Sequence, residues 1–183
     1  GLMGVASDRY GTTGATRSHG AGFVELEVDV ETGTIRMVDY AAGCDVGTVI
    51  HPRNFGAQVF GGAIQGFSVA LSQKWVYDRR WGLLVAKKFY NNRPPGILDV
   101  PYEQPMKWGN ADQPDPFNPL GAKGIGEAAQ GAGSGAVVNA IADALESLGE
   151  GNGDFYRSPI TRDMILTKLE QAPTGHDRLT AHV

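Results

Sequence analysis

Glycine limits what this chain can become more than any other residue. It contributes 26 of 183 positions, about twice the usual share, and it is concentrated in blocks. Gly56, Gly61, Gly62 and Gly66 fall where Phe60, Ile64, Phe67 and Leu71 recur at the spacing of an amphipathic helix. An interior glycine costs a helix roughly 1 kcal/mol relative to alanine, so four cost about 4 kcal/mol. That is a large share of a domain's net stability. Two things could offset it. Another element packs so closely that no Cβ fits, or backbone lies against a bulky rigid ligand with Gln58 and Gln65 aimed at it. The second block holds Gly121, Gly124 and Gly126, then Gly131, Gly133 and Gly135 in the bare first turns of a second helix.

Around these blocks the pattern is mixed. Val24, Leu26, Val28 and Val30 alternate with acidic residues, which is the period of a half-buried strand. Glu31, Thr32 and Gly33 form a turn, and a second strand continues from Thr34 to Tyr40, making a hairpin. Residues 41–50 read as strand end and loop. Pro52 sits where a first helical residue would, and that helix is expected to run to about Gln73. Residues 75–85 suggest a further hairpin around Asp78, Arg79 and Arg80. Most of the prolines follow in residues 92–121, an extended or looped stretch in which residues 106–108 could form a short strand.

A second helix begins near Glu127, with Val137, Ile141, Ala144, Leu145 and Leu148 as its buried stripe and Gly149 and Gly151 as its stop. A third is expected from about Ile160 to Leu169. The fold class is α+β, without regular β-α-β alternation. Residues 1–20 read as a Gly/Ser/Thr-rich arm or linker, 21–172 as the domain portion, and 173–183 as a polar tail. The start at Gly1, without an initiator Met, suggests a piece of a longer polypeptide or a processed chain.

Composition excludes several classes. With 16 basic against 20 acidic residues the formal charge is -4, so no basic excess draws the chain to nucleic acid or anionic lipid. No apolar run reaches the roughly 18–20 residues of a membrane span. The single cysteine, Cys44, precludes an internal disulfide and an iron–sulfur cluster ligated by this chain alone. It reads as a small buried hydrophobe. The four histidines show no metal-ligand spacing, and His51 reads as a loop residue. Trp75, Trp81 and Trp108 read as core or interface packing.

Glu127 has two readings. Backbone amides at a helix N-terminus favour an anion, so Glu127 is either a favourable charge there or an ionised carboxylate placed to take a proton. Lys123, four residues earlier, could meet a phosphate or an acidic group. Residues 124–129 also match the G-x-G-x-x-A dinucleotide fingerprint. That motif needs a strand directly before it and an acid at the end of the next strand. Pro114, Pro116 and Pro119 rule out the first, and Asp143 and Glu146 lie in the same helix.

Taken in order, Cys44-Asp45-Val46-Gly47, Ile50-His51-Pro52, the glycine helix from Gly56 to Gly66, Asp99-Val100-Pro101 and Gly121-Ala122-Lys123-Gly124-Ile125-Gly126-Glu127 form a recognisable set. The set resembles the C-terminal part of the molybdenum-binding (molybdopterin) subunit of the xanthine oxidase/aldehyde oxidoreductase family, the molybdenum hydroxylases. The resemblance runs from about Gly20 to Ile165. It implies the C-terminal portion of a molybdopterin-binding domain, with both glycine-rich helices facing the cofactor. Glu127 would be the catalytic base. Gln65, Gly66, Lys123, Gly124, Ile125 and Gly126 would contact the cofactor, and no residue here would ligate the metal directly. The implied reaction is oxidation of an aldehyde or N-heterocycle with oxygen from water, as a small subunit or fragment of a multi-subunit enzyme.

The cofactor would be molybdenum-molybdopterin, with or without a cytosine dinucleotide extension. A 2Fe-2S centre and FAD or haem would sit on partners: a larger molybdenum-binding chain, an iron–sulfur subunit and a flavin or cytochrome subunit. The alternative is a non-catalytic assembly subunit that stabilises a partner. The expected compartment is the cytoplasm, with the periplasm as the alternative. Where many relatives have Asn-Pro, this chain has His51-Pro52, which changes a helix cap.

Overall fold

A computed structural model of the chain describes residues 1–6, 17–102, 105–148 and 155–169. The tail expected over 173–183 lies outside the described residues, as do residues 7–16 of the expected arm. The elements run β1 (His19–Val28), β2 (Ile35–Asp45), α1 (Pro52–Leu71), β3 (Lys107–Asn110), α2 (Ala128–Glu146) and α3 (Arg162–Lys168). This is the α+β mixture read from the sequence.

β1 and β2 form the expected antiparallel hairpin, and β3 adds parallel to β2, giving the order β1-β2-β3. The hairpin is longer than its alternation suggests. β2 continues to Asp45, into the stretch read as strand end and loop, because Ala42 and Cys44 are small enough to keep facing the core. One irregularity breaks the period of two. Glu25 pairs with Asp39 and Leu26 with Met37, so Val38 is left unpaired as a bulge. The bulge explains how Met37 and Tyr40, three residues apart, both face inward.

Both long helices lie on the inner face of the sheet: α2 packs against β1, and α1 against α2. Tyr40 of β2 meets Phe67 of α1 edge-on with ring centroids 5.1 Å apart. Val59 and Phe67 from α1, Val137, Ile141 and Leu145 from α2, and Ile165 from α3 complete the core. Each such side chain contributes roughly 1.5–3 kcal/mol by leaving water. Leu148, expected in the buried stripe, lies past the end of α2 and is 51% exposed. Ile160 is buried but precedes α3, which starts two residues later than expected.

His51 is not a plain loop residue. It caps α1, its Nδ1 accepting from the Asn54 backbone N at 3.2 Å, while Pro52 takes the first helical position. Cys44 is buried, and burial pushes its thiol pKa up. Trp108 packs edge-on against Phe55 with centroids 4.7 Å apart, whereas Trp75 and Trp81 are exposed. The core half of the reading for those two fails.

Candidate cofactor site

The loop that leads into α2 is held at several points. Gly121 O accepts from the backbone N of both Thr48 and Asp115 at 2.8 Å, and Lys123 N donates to Val46 O at 2.8 Å. These bonds tie residues 121–123 to the turn that ends β2, where Gly47 and Ala122 form an antiparallel bridge. Gly47 has φ 64°, and a Cβ there would run into the Gly121 carbonyl, so only glycine fits.

Three polar side chains brace the same region. Asn110, at the end of β3, accepts from Val46 N at 3.1 Å and donates to Gly47 O at 2.8 Å. Buried Asp115 accepts from Phe117 N at 2.9 Å and from the Asn118 side-chain amide. Asn118 Nδ2 also donates to Ala122 O at 2.8 Å, and its Oδ1 accepts from the backbone N of Leu120 and Ala122. Buried polar groups with satisfied partners fix one geometry.

Lys123 pairs within the chain. Its Nζ reaches both carboxylate oxygens of Asp45, at 2.8 and 2.7 Å, with the lysine side chain only 11% exposed. The Lys123 bond holds the Asp45 carboxyl below its usual range, helped by Gly47 N and by His19, whose Nδ1 is 3.9 Å away; partial burial opposes them. Lys123 therefore anchors the loop to β2, and its charge is already matched.

The next residues are bare. Gly124, Gly126 and Glu127 are exposed, while Ile125 packs partly against the core. Among the described residues, the backbone N–H groups of 124–127 donate to no protein acceptor. Glu127 is the N-cap residue of α2, but its side chain makes no capping bond and, among the described residues, no ion pair. A carboxylate that caps the helix would bond the amides of the first turn. This one does not. Nothing lies within 4 Å of a Cβ built on Gly124 or Gly126, so packing does not demand glycine at either.

The α1 glycines divide. Gly62 and Gly66 lie in the α1/α2 seam: a Cβ on Gly62 would be 3.1 Å from Ala129 Cβ, and one on Gly66 would meet Gln130 O and Ser134 N. Gly133 answers from α2, where a Cβ would be 2.8 Å from Ala63 O. Gly56 lies under the Trp108 indole. Close packing thus accounts for three of the four. Gly61 is the exception, exposed with nothing within 4 Å. It shares an outer stripe with exposed Gln58 and Gln65, at i, i+3 and i+7. Neither glutamine side chain has a hydrogen-bond partner among the described residues.

Of the residues singled out in the sequence, Lys123, Gly124, Ile125, Gly126 and Glu127 come together in one braced loop. Gln65 stands on the open stripe of α1, while Gly66 beside it is enclosed by α2 backbone. Asp45, Asn110, Asp115 and Asn118 were not anticipated. The alternation of Asp115 and Asn118 with three prolines is turn chemistry that could have pointed to the brace. No group of three or more His, Cys, Asp or Glu among the described residues could hold a metal ion. No described helix is long and apolar enough to cross a membrane. Unpaired amides, free glutamines and glycine positions that a Cβ would fill suit a flat, polar, anionic group approached by backbone.

Comparison with known proteins identifies a family. Residues 5–101 match a molybdopterin cofactor-binding domain. The carbon monoxide dehydrogenase large chain of Afipia carboxidovorans is 33% identical over 149 residues, covering 80% of this chain and 18% of the relative. The aldehyde oxidoreductase molybdenum-binding subunit PaoC of Escherichia coli is 32% identical over 148 residues, 80% of this chain and 19% of the relative. Among solved structures, quinoline 2-oxidoreductase from Pseudomonas putida superposes with a TM-score of 0.72 at 32% identity, over 82% of this chain and 18% of that one. The chain spans about a fifth of the length of the curated relatives it matches.

Proposed function

The chain belongs to the molybdopterin cofactor-binding domain family of molybdenum hydroxylases, and from that premise we propose that it supplies the general base and one wall of the molybdenum site. The observation that carries this reading is the Glu127 carboxylate. It stands at the head of α2, unused by cap or ion pair, on a loop whose neighbouring amides are also unpaired.

When bound, the molybdenum cofactor supplies the two-electron oxidation chemistry. The chain's own part is positioning and proton transfer. The N–H groups of Gly124, Ile125 and Gly126 donate to acceptor atoms of the cofactor, and their lack of side chains, apart from Ile125, allows the approach. Gln65 adds a side-chain amide from α1. Gly66 acts one step removed, by letting α2 lie close enough to set the loop's position. Lys123, held by Asp45, keeps the loop from swinging away.

A Glu127 carboxylate oxygen accepts the proton of the water whose oxygen enters the product. For an aldehyde the balance is RCHO + H2O giving RCOOH, two electrons and two protons. The substrate class is an aldehyde or an electron-poor N-heterocycle, in line with the aldehyde oxidoreductase and quinoline 2-oxidoreductase among the similar proteins. A 2Fe-2S centre and FAD or haem on partner subunits would carry the electrons away, and a cytosine dinucleotide extension of the cofactor would be a variant of the same site.

A positioned general base contributes about 10²–10⁴-fold to rate. Glu127→Gln in the assembled protein is therefore expected to keep its molybdenum and lose at least about 100-fold in kcat. Wild-type turnover with full molybdenum would remove Glu127 from the chemistry and leave the chain an assembly element.

A further inference from the structure

Residues 75–85 form a hairpin that the rest of the described chain leaves largely uncovered, Leu84 being half-buried. Tyr77 and Leu84 make an antiparallel bridge, Val85 N donates to Val76 O at 2.8 Å and Asp78 N to Leu83 O at 2.8 Å. Gly82, at φ 65°, and the Asp78 carboxylate, which accepts from Trp81 N, close the turn. Both faces carry apolar side chains. Trp75 and Tyr77 stand on one, with ring centroids 6.3 Å apart. Val76, Leu83 and Val85 stand on the other. Trp75 is 73% exposed, Val76 42%, Leu83 59% and Val85 53%.

A two-stranded ribbon is marginal in water, and one with two apolar faces has neither face that prefers solvent. Its edges are open as well. The pairing leaves the N–H and C=O of Tyr77 and Leu84 pointing away from the partner strand, and among the described residues they bond to nothing. A ribbon of this kind is satisfied by strands at its edges and side chains on both faces.

We propose that this hairpin is a docking ribbon, built into a larger sheet by the part of the molybdenum-binding subunit that lies outside these residues. The inference rests on the reading of the chain as part of such a subunit. Roughly four-fifths of each relative's chain lies outside the stretch that these residues match, enough to supply both edge strands and covering faces. A small-molecule ligand could not pair two strand edges at once. The flanking turn carries Arg79 and Arg80, with the Arg80 guanidinium 5.1 Å from the Trp81 ring, so the tip stays hydrated while the body is buried.

The test uses the assembled protein, isolated from its source host after engineering that host to insert one unnatural residue. A photoreactive benzophenone amino acid replaces Val85, and the cross-linked peptide is sequenced. The expected product joins Val85 to a peptide of the molybdenum-binding subunit outside the 183 residues. A product with a second copy of this chain, with an iron–sulfur or flavin subunit, or no product at all, overturns the proposal. Hydrogen exchange on the unmodified protein gives a check free of substitution. The Tyr77 and Leu84 amides should exchange at least about 100-fold more slowly than unstructured amides; unprotected exchange overturns the proposal equally. Molybdenum content and the Glu127→Gln turnover play no part in either readout, so the catalytic reading and the docking reading can fail separately.

Discussion

Two glycines five residues apart in α1 should respond to alanine with opposite signs. At Gly66 a methyl group would meet Gln130 O, lie 2.6 Å from Ser134 N and 3.0 Å from Gly133 C. All three are backbone atoms that no rotamer change can move, so the helices must part by about 1 Å to restore van der Waals contact. Overpacking of this kind costs about 1–3 kcal/mol. Parting the helices also loosens Gly62 from Ala129 and Gly133 from Ala63, which places the cost in the upper half of that range. The gain in helix propensity returns about 1 kcal/mol. The net is a loss of roughly 1–2 kcal/mol.

At Gly61 the methyl meets nothing within 4 Å, so only the propensity gain of about 1 kcal/mol remains. For a cooperative unit of this size each kcal/mol moves Tm by about 2–4 °C. Thermal unfolding of the cofactor-free protein, followed by circular dichroism, should therefore place Gly66→Ala below wild type and Gly61→Ala above it. If Gly61 faces the cofactor, the same Gly61→Ala protein should also lose molybdenum during purification. A Gly66→Ala protein that melts at or above wild type would refute the packing argument. A Gly61→Ala protein with full molybdenum would refute the assignment of the open stripe.

Lys123→Met should move the acid limb of unfolding to higher pH. Asp45 has a folded pKa below its ordinary 3.8 chiefly because of Lys123; the stability it contributes is present above that value and lost as pH falls through the depressed one, and an unchanged acid limb would contradict the pairing. Tyr40 is 1% exposed with an unpartnered hydroxyl, and burial pushes its pKa up to about 12 from 10.0. The stability contributed by its neutral form is full below 10 and is lost as pH rises towards 12. Absorbance at high pH should show one late-titrating tyrosine that disappears in Tyr40→Phe. Because the hydroxyl satisfies no partner, that variant should be within about 1 kcal/mol of wild type or more stable; a loss of several kcal/mol would mean that the hydroxyl is paired.

What could be read from the sequence follows from which signals are local. The β1/β2 hairpin, α1 and the start of α2 at Glu127 were legible because period, turn residues and Pro52 all act within a few positions. The bulge at Val38 was not, since it is defined by a partner strand. The parallel pairing of β3 with β2 was hidden for the same reason. The meaning of the α1 glycines stayed open in the sequence because composition records that a Cβ is missing and not what takes its place. The fold divides them: α2 backbone and Trp108 take the place at Gly56, Gly62 and Gly66, and open space remains at Gly61. Lys123 was visible as a cation near Glu127, yet its partner Asp45 lies 78 residues away, beyond any sequence spacing argument. His51 reads as a loop residue at an altered helix cap, and which side-chain atom does the capping, its Nδ1, is visible only in the fold.

The central claim is that this chain forms part of a molybdenum site. The most direct test is the native mass and metal content of the protein purified from its source. A heteromeric assembly with molybdenum stoichiometric with this chain, and iron in addition, is the expected result. A lone 19.4 kDa species without molybdenum would contradict the account.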